Sequence, residues 1–207
     1  MYKKIAIIGV GAVGGFIGAL LHSAGLEVNF FSRGETLKKQ LTHGLKLESF
    51  QFGILEYKDI KIFDSTDIAK QFPNYFDLIL VCVKSHHTEE VAKQITSCLN
   101  QNGVVLSLQN GLENEEILAK YIPKEKVIGG VIYIGSQLLD GYIVKHTSGG
   151  RVEFGKYFEE TNPEILEKLY NTLKSAQFKT ELSENIKKRM WTKIIWNAAF
   201  NPLSVII

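Results

Sequence analysis

The sequence has few cysteines, few prolines and no long apolar run. These shortages argue against a cysteine-based metal or redox site, a proline-rich segment and a membrane-spanning segment. Its 207 residues include two cysteines, Cys82 and Cys98, whose separation matches neither a metal-binding nor a redox spacing. The four prolines are scattered, and no repeat or low-complexity segment occurs. No apolar run reaches the ~20 residues needed to span a bilayer, so we expect no membrane segment and a cytoplasmic protein.

A strong charge of one sign is also lacking. The 24 Lys and Arg nearly balance the 22 Asp and Glu, which leaves a net charge of +2. Surfaces that bind nucleic acid usually show a much stronger basic bias, so nucleic acid is not an expected partner. With 45% hydrophobic and 22% charged residues, the composition is typical of a soluble globular protein.

Short β-rich runs alternate with helical patterns through most of the chain. Ile5–Ile8 and Asp77–Val83 are continuous apolar runs, typical of strands covered on both faces, and Val28–Phe31 is predicted to be a parallel strand beside them. Leu45–Phe63 and Gly141–Phe154 are each predicted to form a hairpin. This alternation predicts an α/β fold with a doubly wound parallel sheet and right-handed crossovers.

The pattern changes near Glu184 to one helix, dense in apolar residues, that continues to the end of the sequence. We therefore divide the chain into residues 1–183 and residues 184–207. The second part is expected to be the first helix of another, all-helical domain whose remainder is absent.

A glycine-rich turn directly follows the first strand and opens the first helix. Its sequence is Gly9-Val10-Gly11-Ala12-Val13-Gly14, which in this context is a dinucleotide-binding fingerprint. Gly9 permits the tight turn, Gly11 lets the backbone approach a pyrophosphate, and Gly14 allows close helix–strand packing. The alternative is a turn that only aids packing.

The end of the second strand indicates which dinucleotide is expected. NAD sites usually carry an acidic residue there, whereas this chain has Arg33, whose guanidinium suits a 2′-phosphate. Lys84, just past the strand Asp77–Val83, is expected to add a second positive charge. We therefore predict NADP(H). In the alternative, either cation is solvated and Glu35 reaches the ribose instead.

Two further polar groups follow predicted strands. Asn110-Gly111 is a turn signal by itself, but its position at the carboxyl end of a strand places it on the cofactor side of the sheet. The run His86-His87-x-Glu89-Glu90 resembles a metal site, but it has no third histidine nearby, and acidic residues often collect at a helix start. We expect no bound metal.

Polar residues form one stripe on the last predicted helix. Lys193, Asn197 and Asn201 are four residues apart, so successive members are rotated by only about 40° around the helix. The stripe either faces water or points a lysine and two amides into a cleft. The spacing alone does not distinguish these alternatives.

These features together resemble the ketopantoate reductase family along the whole chain. The resemblance rests on the fingerprint, on Arg33, Lys84 and Asn110-Gly111, and on the pattern Trp191-x-Lys193-x-x-x-Asn197-x-x-x-Asn201-Pro202-Leu203. It implies a Rossmann-type domain, a linking helix and an all-helical domain with catalysis between them. The implied reaction is the NADPH-dependent reduction of the small 2-keto acid ketopantoate to pantoate, in pantothenate and coenzyme A synthesis.

The resemblance also implies a role for each matching residue. Gly9 to Gly14 would hold the pyrophosphate, and Arg33 and Lys84 the 2′-phosphate. Lys193 would be the catalytic lysine. The amides expected to contact substrate, with the first also near the nicotinamide ribose, are Asn110, Asn197 and Asn201.

The chain departs from the family pattern after the Asn-Pro-Leu segment, where the family's acidic residue and a substrate-binding serine would follow. We therefore expect the chain to be truncated near the start of the helical domain. The last helix would then expose an apolar face, which favours self-association, for example as a homodimer. Its members would be Trp191, Ile195, Trp196 and Phe200. Two alternatives stay open, namely a reductase of another small 2-keto acid and an NADP-binding module without turnover.

Overall fold

A computed structural model describes residues 1–200 of the chain. Within these residues it contains ten strands and seven α-helices. The strands are β1 (Lys4–Ile8), β2 (Glu27–Ser32), β3 (Leu45–Ser49), β4 (Gly53–Tyr57), β5 (Lys61–Asp64), β6 (Phe76–Val81), β7 (Leu99–Ser107), β8 (Val127–Leu139), β9 (Ile143–Lys156) and β10 (Thr180–Leu182). The helices are α1 (Ala12–Ser23), α2 (Gly34–His43), α3 (Ile68–Gln71), α4 (Thr88–Ile95), α5 (Asn114–Leu118), α6 (Pro163–Ser175) and α7 (Ile186–Phe200).

All ten strands belong to one sheet, in the order β4-β3-β9-β8-β7-β6-β1-β2-β5, with β10 paired to β9. Six neighbouring strands of the sheet, β5, β2, β1, β6, β7 and β8, are mutually parallel. The chain builds outward from β1 in both directions, first to β2 on one side and later to β6 on the other. This confirms the predicted α/β fold with its doubly wound parallel sheet. Two antiparallel pairings, β8 with β9 and β3 with β4, make the complete sheet mixed.

Alternate side chains of β1 enter two separate cores, one on each face of the sheet. Ile5 and Ile7 pack in the core that α1 and α6 cover. Ala6 and Ile8 pack in the opposite core, which includes residues of α4, α5 and α7. Burial on both faces explains why the strand is a continuous apolar run rather than an alternating one.

Both predicted hairpins need correction. In Leu45–Phe63, the hairpin is β3–β4 only, and β5 pairs with β2 at the far edge of the sheet. The predicted hairpin Gly141–Phe154 is wrong, because β9 is one long strand and the turn precedes it. Asp140 and Gly141 both have positive φ, 51° and 78°, which is the backbone that a tight hairpin turn requires.

The last helix begins close to where the sequence predicts it. The Asn185 side chain accepts a hydrogen bond from the backbone N–H of Lys188 at 2.9 Å, which satisfies one of the free donors at the start of α7. Ile186 and Met190 anchor the helix in the core beside β8. None of the helices within residues 1–200 has both the length and the apolar character that a membrane crossing requires.

Candidate functional site

The glycine-rich turn has the backbone that the sequence predicts. Gly9 has φ +97°, and a Cβ there would lie 2.8 Å from Val83 Cγ1. A Cβ on Gly14 would overlap the carbonyl oxygen of Gly9, so the turn and α1 can approach only without a side chain. Gly11 faces open space at the start of α1, where backbone N–H groups are free to bind an anion.

A buried glutamine side chain, which sequence reasoning missed, connects this turn to β2 by hydrogen bonds. The Gln40 side chain donates a hydrogen bond to the Val10 carbonyl at 3.0 Å and accepts one from Ser32 Oγ at 2.5 Å. Gln40 is buried although it lies on a helix that is polar in sequence. Its burial between the turn and β2 is a tertiary feature, and no local pattern indicates it.

A charged pocket of about 230 Å³ lies beside the turn, between the ends of β2 and β6. Its lining includes Gly9, Gly11, Arg33, Lys84, His87 and Glu90. The structure therefore brings together both cations that the sequence singled out. Glu35, the alternative ribose partner, instead forms a surface ion pair with Lys38 at 2.6 Å and is not in this lining.

Arg33 has two partners in this pocket. Its Nη1 donates to both carboxylate oxygens of Glu90 at 3.2 Å, and its Nη2 lies 2.6 Å from Nε2 of His87. Loss of solvent, followed by the nearby positive charge of Arg33, lowers the pKa of His87 below its ordinary value. Within residues 1–200, no group of three or more His, Cys, Asp or Glu could hold a metal ion.

A larger cavity of about 780 Å³, which we call the α7 cleft, adjoins the turn where α1 begins. Its walls come from α7, from β8 and β9, and from Ala12 and Val13 at the start of α1. Asn110, Lys193 and Asn197 all line it. The predicted polar stripe therefore points its first two members into a cleft, while Asn201 lies outside the described residues.

Lys193 is held against the wall of the α7 cleft. Its Nζ donates a hydrogen bond to the Ile132 carbonyl at 2.6 Å and lies 5.9 Å from the centre of the Tyr133 ring. Burial lowers the pKa of Lys193 from 10.5 to about 8, because an ammonium group loses hydration there. The side chain is therefore protonated at neutral pH but loses its proton more easily than an exposed lysine.

Asn110 is positioned through its backbone. Its carbonyl accepts hydrogen bonds from Ser85 Oγ and, at 3.1 Å, from the Asn114 side chain. Asn114 also accepts a hydrogen bond from Thr88 at 2.8 Å, so the loops after β6 and β7 are joined. The Asn110 side chain is left exposed at the cleft.

An ion-pair cluster that sequence reasoning missed fastens α7 to the sheet. Glu153 on β9 is only 3% exposed and contacts Arg151 at 2.9 Å and Arg189 at 3.2 Å. Arg189 lies one helical turn before Lys193 on α7. A glutamate between the apolar residues Val152 and Phe154 is the sequence signal that could have indicated this cluster.

Apolar side chains of α7 are exposed, as the sequence predicts, and one of them, Trp196, also lines the α7 cleft. Ile195 and Trp196 are 65% and 61% exposed, and Trp191 and Phe200 are also exposed. The Trp196 and Phe200 rings stack on each other with their centres 4.2 Å apart.

Comparisons with known proteins identify the family to which this chain belongs. The chain is 35% identical over 204 residues to the 2-dehydropantoate 2-reductase of Archaeoglobus fulgidus, which covers 99% of the chain and 64% of that relative. The crystal structure of 2-dehydropantoate 2-reductase from Geobacter metallireducens superposes with a TM-score of 0.87 at 31% identity, over 97% of this chain and 64% of that one.

A D-mandelate dehydrogenase solved with NADH and anilino(oxo)acetate also has a TM-score of 0.87, at 28% identity over 97% of this chain and 63% of that one. The chain thus spans less than two thirds of the length of these relatives. The family model described as ketopantoate reductase PanE/ApbA matches residues 5–159. Since that match covers more than half of the sequence, the chain belongs to the ketopantoate reductase PanE/ApbA family.

Proposed function

We propose that this protein reduces ketopantoate (2-dehydropantoate) to pantoate with NADPH, as a step of pantothenate and coenzyme A biosynthesis. The observation that supports this most directly is that two pockets adjoin successive parts of the glycine-rich turn. Gly9 and Gly11 line the charged pocket, whereas Ala12 and Val13 line the α7 cleft. A dinucleotide with its pyrophosphate at the turn would extend its two ends into these pockets.

The residues around the charged pocket fit an NADP-type dinucleotide. The open space at Gly11 would admit the pyrophosphate to the free N–H groups of α1. Arg33 and Lys84 would hold the 2′-phosphate, for which a guanidinium is a bidentate partner. The backbone of Val10, fixed by Gln40, would keep the turn in place.

Lys193 would be the catalytic residue of the α7 cleft. When bound, NADPH supplies the hydride that adds to the 2-keto carbon. The Lys193 ammonium would bind the keto oxygen, stabilise the negative charge that develops on it and donate a proton to it. Its pKa of about 8, a consequence of burial, suits proton transfer near neutral pH.

The amide side chains would orient the substrate around that lysine. Asn110 lies at the carboxyl end of β7, where the nicotinamide ribose and the substrate would meet. Asn197, one helical turn after Lys193, would bind substrate oxygens, and Asn201 is proposed for the same role by its place in the sequence pattern.

Reduction of another small 2-keto acid is the second candidate. The similarity to the D-mandelate dehydrogenase, with the same TM-score of 0.87 as the Geobacter reductase, favours keeping it. Both reactions would use Lys193 in the same way, and they differ in the substrate tail that the cleft accepts. Rates with ketopantoate and with phenylglyoxylate distinguish them.

We also propose that the chain divides at residues 183 and 184, in the short connection between β10 and α7. Residues 184–207 would be a linking helix and the start of a helical domain. The exposed apolar face of α7 supports self-association, for example as a homodimer. The two free cysteines fit a reducing, cytoplasmic compartment.

The deciding experiment measures NADPH oxidation by the protein with and without ketopantoate. We expect oxidation that depends on ketopantoate and is abolished in Lys193→Ala. Faster turnover of phenylglyoxylate would favour the second candidate. Binding of NADPH without its oxidation in the presence of either keto acid would contradict a reductase and favour a binding module. Full turnover in Lys193→Ala would show that this lysine is not part of the mechanism.

A further inference from the structure

Arg33, the proposed partner of the 2′-phosphate, is already engaged by protein groups. Both Glu90 carboxylate oxygens accept from its Nη1 at 3.2 Å. The His87 Nε2, 2.6 Å from Nη2, must be an unprotonated acceptor, because arginine has no acceptor of its own. A phosphate that binds Arg33 therefore has to share or displace these partners.

The Glu90 carboxylate is also a wall of the charged pocket, so it does more than neutralise an arginine at a distance. Glu90 lies in the first turn of α4, and Lys84 lies just before that helix. The carboxylate therefore faces the space in which Arg33 and Lys84 would hold an anion. A second negative charge placed there would be repelled by it at short range.

We propose that Glu90 is a specificity-determining residue of this pocket, which holds Arg33 when no nucleotide is bound and competes with the 2′-phosphate for it. This inference rests on the proposed function, since it requires Arg33 to be the 2′-phosphate partner. NADPH has to share or displace the Arg33–Glu90 contact, and it places about two negative charges beside the carboxylate. NADH has no 2′-phosphate and leaves the pair intact.

Glu90 therefore lowers the affinity for NADPH but not the affinity for NADH. As a result, the preference for NADPH over NADH is smaller than it would be with Arg33 and Lys84 but without Glu90. The opposite role is an orienting one, in which Glu90 holds Arg33 in the position that the phosphate needs. The two roles predict opposite signs. Removing the carboxylate strengthens NADPH binding in the first and weakens it in the second.

The test is calorimetric titration of NADPH and NADH into Glu90→Gln. We expect the Kd of NADPH to fall by about fivefold, since half-exposed ion pairs couple by up to roughly 1 kcal/mol, while the Kd of NADH stays unchanged. The Glu90 and Arg33 side chains are 48% and 43% exposed, so the variant should keep the melting temperature of the parent protein.

Glu89→Gln is the matched control. It removes the same charge from the neighbouring position, but Glu89 contacts Lys93 at 3.2 Å and Tyr121 at 2.7 Å, outside the charged pocket. We expect it to change neither affinity. An equal gain in NADPH affinity from both variants would mean that net charge, rather than the contact with Arg33, is responsible, and would overturn the inference.

Arg33→Ala separates a failure of the inference from a failure of the proposed function. We expect Arg33→Ala to weaken NADPH, and the gain from Glu90→Gln to shrink in its presence, because the two residues act on the same phosphate. If Arg33→Ala weakens NADPH but Glu90→Gln has no effect or the opposite one, the inference alone is wrong. If Arg33→Ala leaves NADPH unaffected, the assignment of the 2′-phosphate fails, and the inference fails with it.

Discussion

The two cations proposed to act on the cofactor and the substrate sit in contrasting surroundings. Arg33 is half-exposed and bonded to a carboxylate and an imidazole, whereas Lys193 is largely buried and bonded to the Ile132 carbonyl. An arginine keeps its charge at every relevant pH, while a lysine changes its pKa readily on burial. This contrast fits the proposed roles, in which Arg33 contributes to nucleotide affinity and Lys193 to proton transfer.

Replacement of the buried cation should have the largest effect. We expect Lys193→Ala to lower kcat with ketopantoate by about 10² to 10⁴, the usual contribution of a positioned acid or base, and to leave the Kd of NADPH unchanged. Lys188→Ala is the matched control, since Lys188 is an exposed lysine on the same helix that does not line the α7 cleft. Steady-state rates and nucleotide titrations check both. Equal losses in the two variants would mean that α7 has been disturbed as a whole.

Reversing the charge at Arg33 should affect nucleotide affinity rather than the rate of substrate reduction. We expect Arg33→Asp to weaken NADPH by about tenfold or more, since charged hydrogen bonds contribute roughly 1.5–3 kcal/mol, and to weaken NADH much less. Lys174→Asp changes the net charge equally on α6, outside the charged pocket. Titration of both nucleotides measures the effect. An equal loss for NADPH and NADH would refute the role of Arg33 at the 2′-phosphate.

The pH dependence should follow the buried cation. Because Lys193 must be protonated to act as an acid and its pKa is about 8, we expect kcat/KM to be constant below that pH and to fall about tenfold per unit above it. NMR of the ¹³C-methylated lysines provides an independent pKa, identified by the signal that Lys193→Ala removes. A titration of that signal near 10.5 would show that burial does not control this lysine.

The glycine-rich turn could be predicted from sequence because its motif residues are contiguous. Gly14 approaches the Gly9 carbonyl within one strand–turn–helix unit, and the position of Arg33 follows from the end of the next strand, whereas the approach of Gly9 to Val83 depends on the distant β6. The partners of Arg33 could not be predicted in this way. Glu90 and His87 lie 57 and 54 residues later and approach Arg33 only because β6 crosses to the far side of β1.

The surroundings of Lys193 show the same limit. Spacing places Lys193 and Asn197 on one face of a helix, but only the packing of α7 on β8 decides whether that face meets water or a cleft. That packing depends on two buried side chains, Ile186 and Met190, and on the pair between Arg189 and Glu153. The Asp140-Gly141 turn, by contrast, is a local signal, but the predicted hairpin Gly141–Phe154 places the turn too late in the sequence.

Ionic strength should have the smallest effect and should separate the two cations without any substitution. Between 0.1 M and 1 M salt the Debye length falls from about 10 Å to about 3 Å, which screens exposed charges far more than buried ones. We expect the preference for NADPH over NADH to fall by a few-fold, because in the proposed site it would depend on the half-exposed Arg33 and on Lys84. The pKa of Lys193 should stay near 8, because burial rather than a neighbouring charge lowers it. A return of that pKa towards 10.5 at high salt would contradict this, since it would mean that nearby cations, and not the loss of hydration, set the acidity of the lysine.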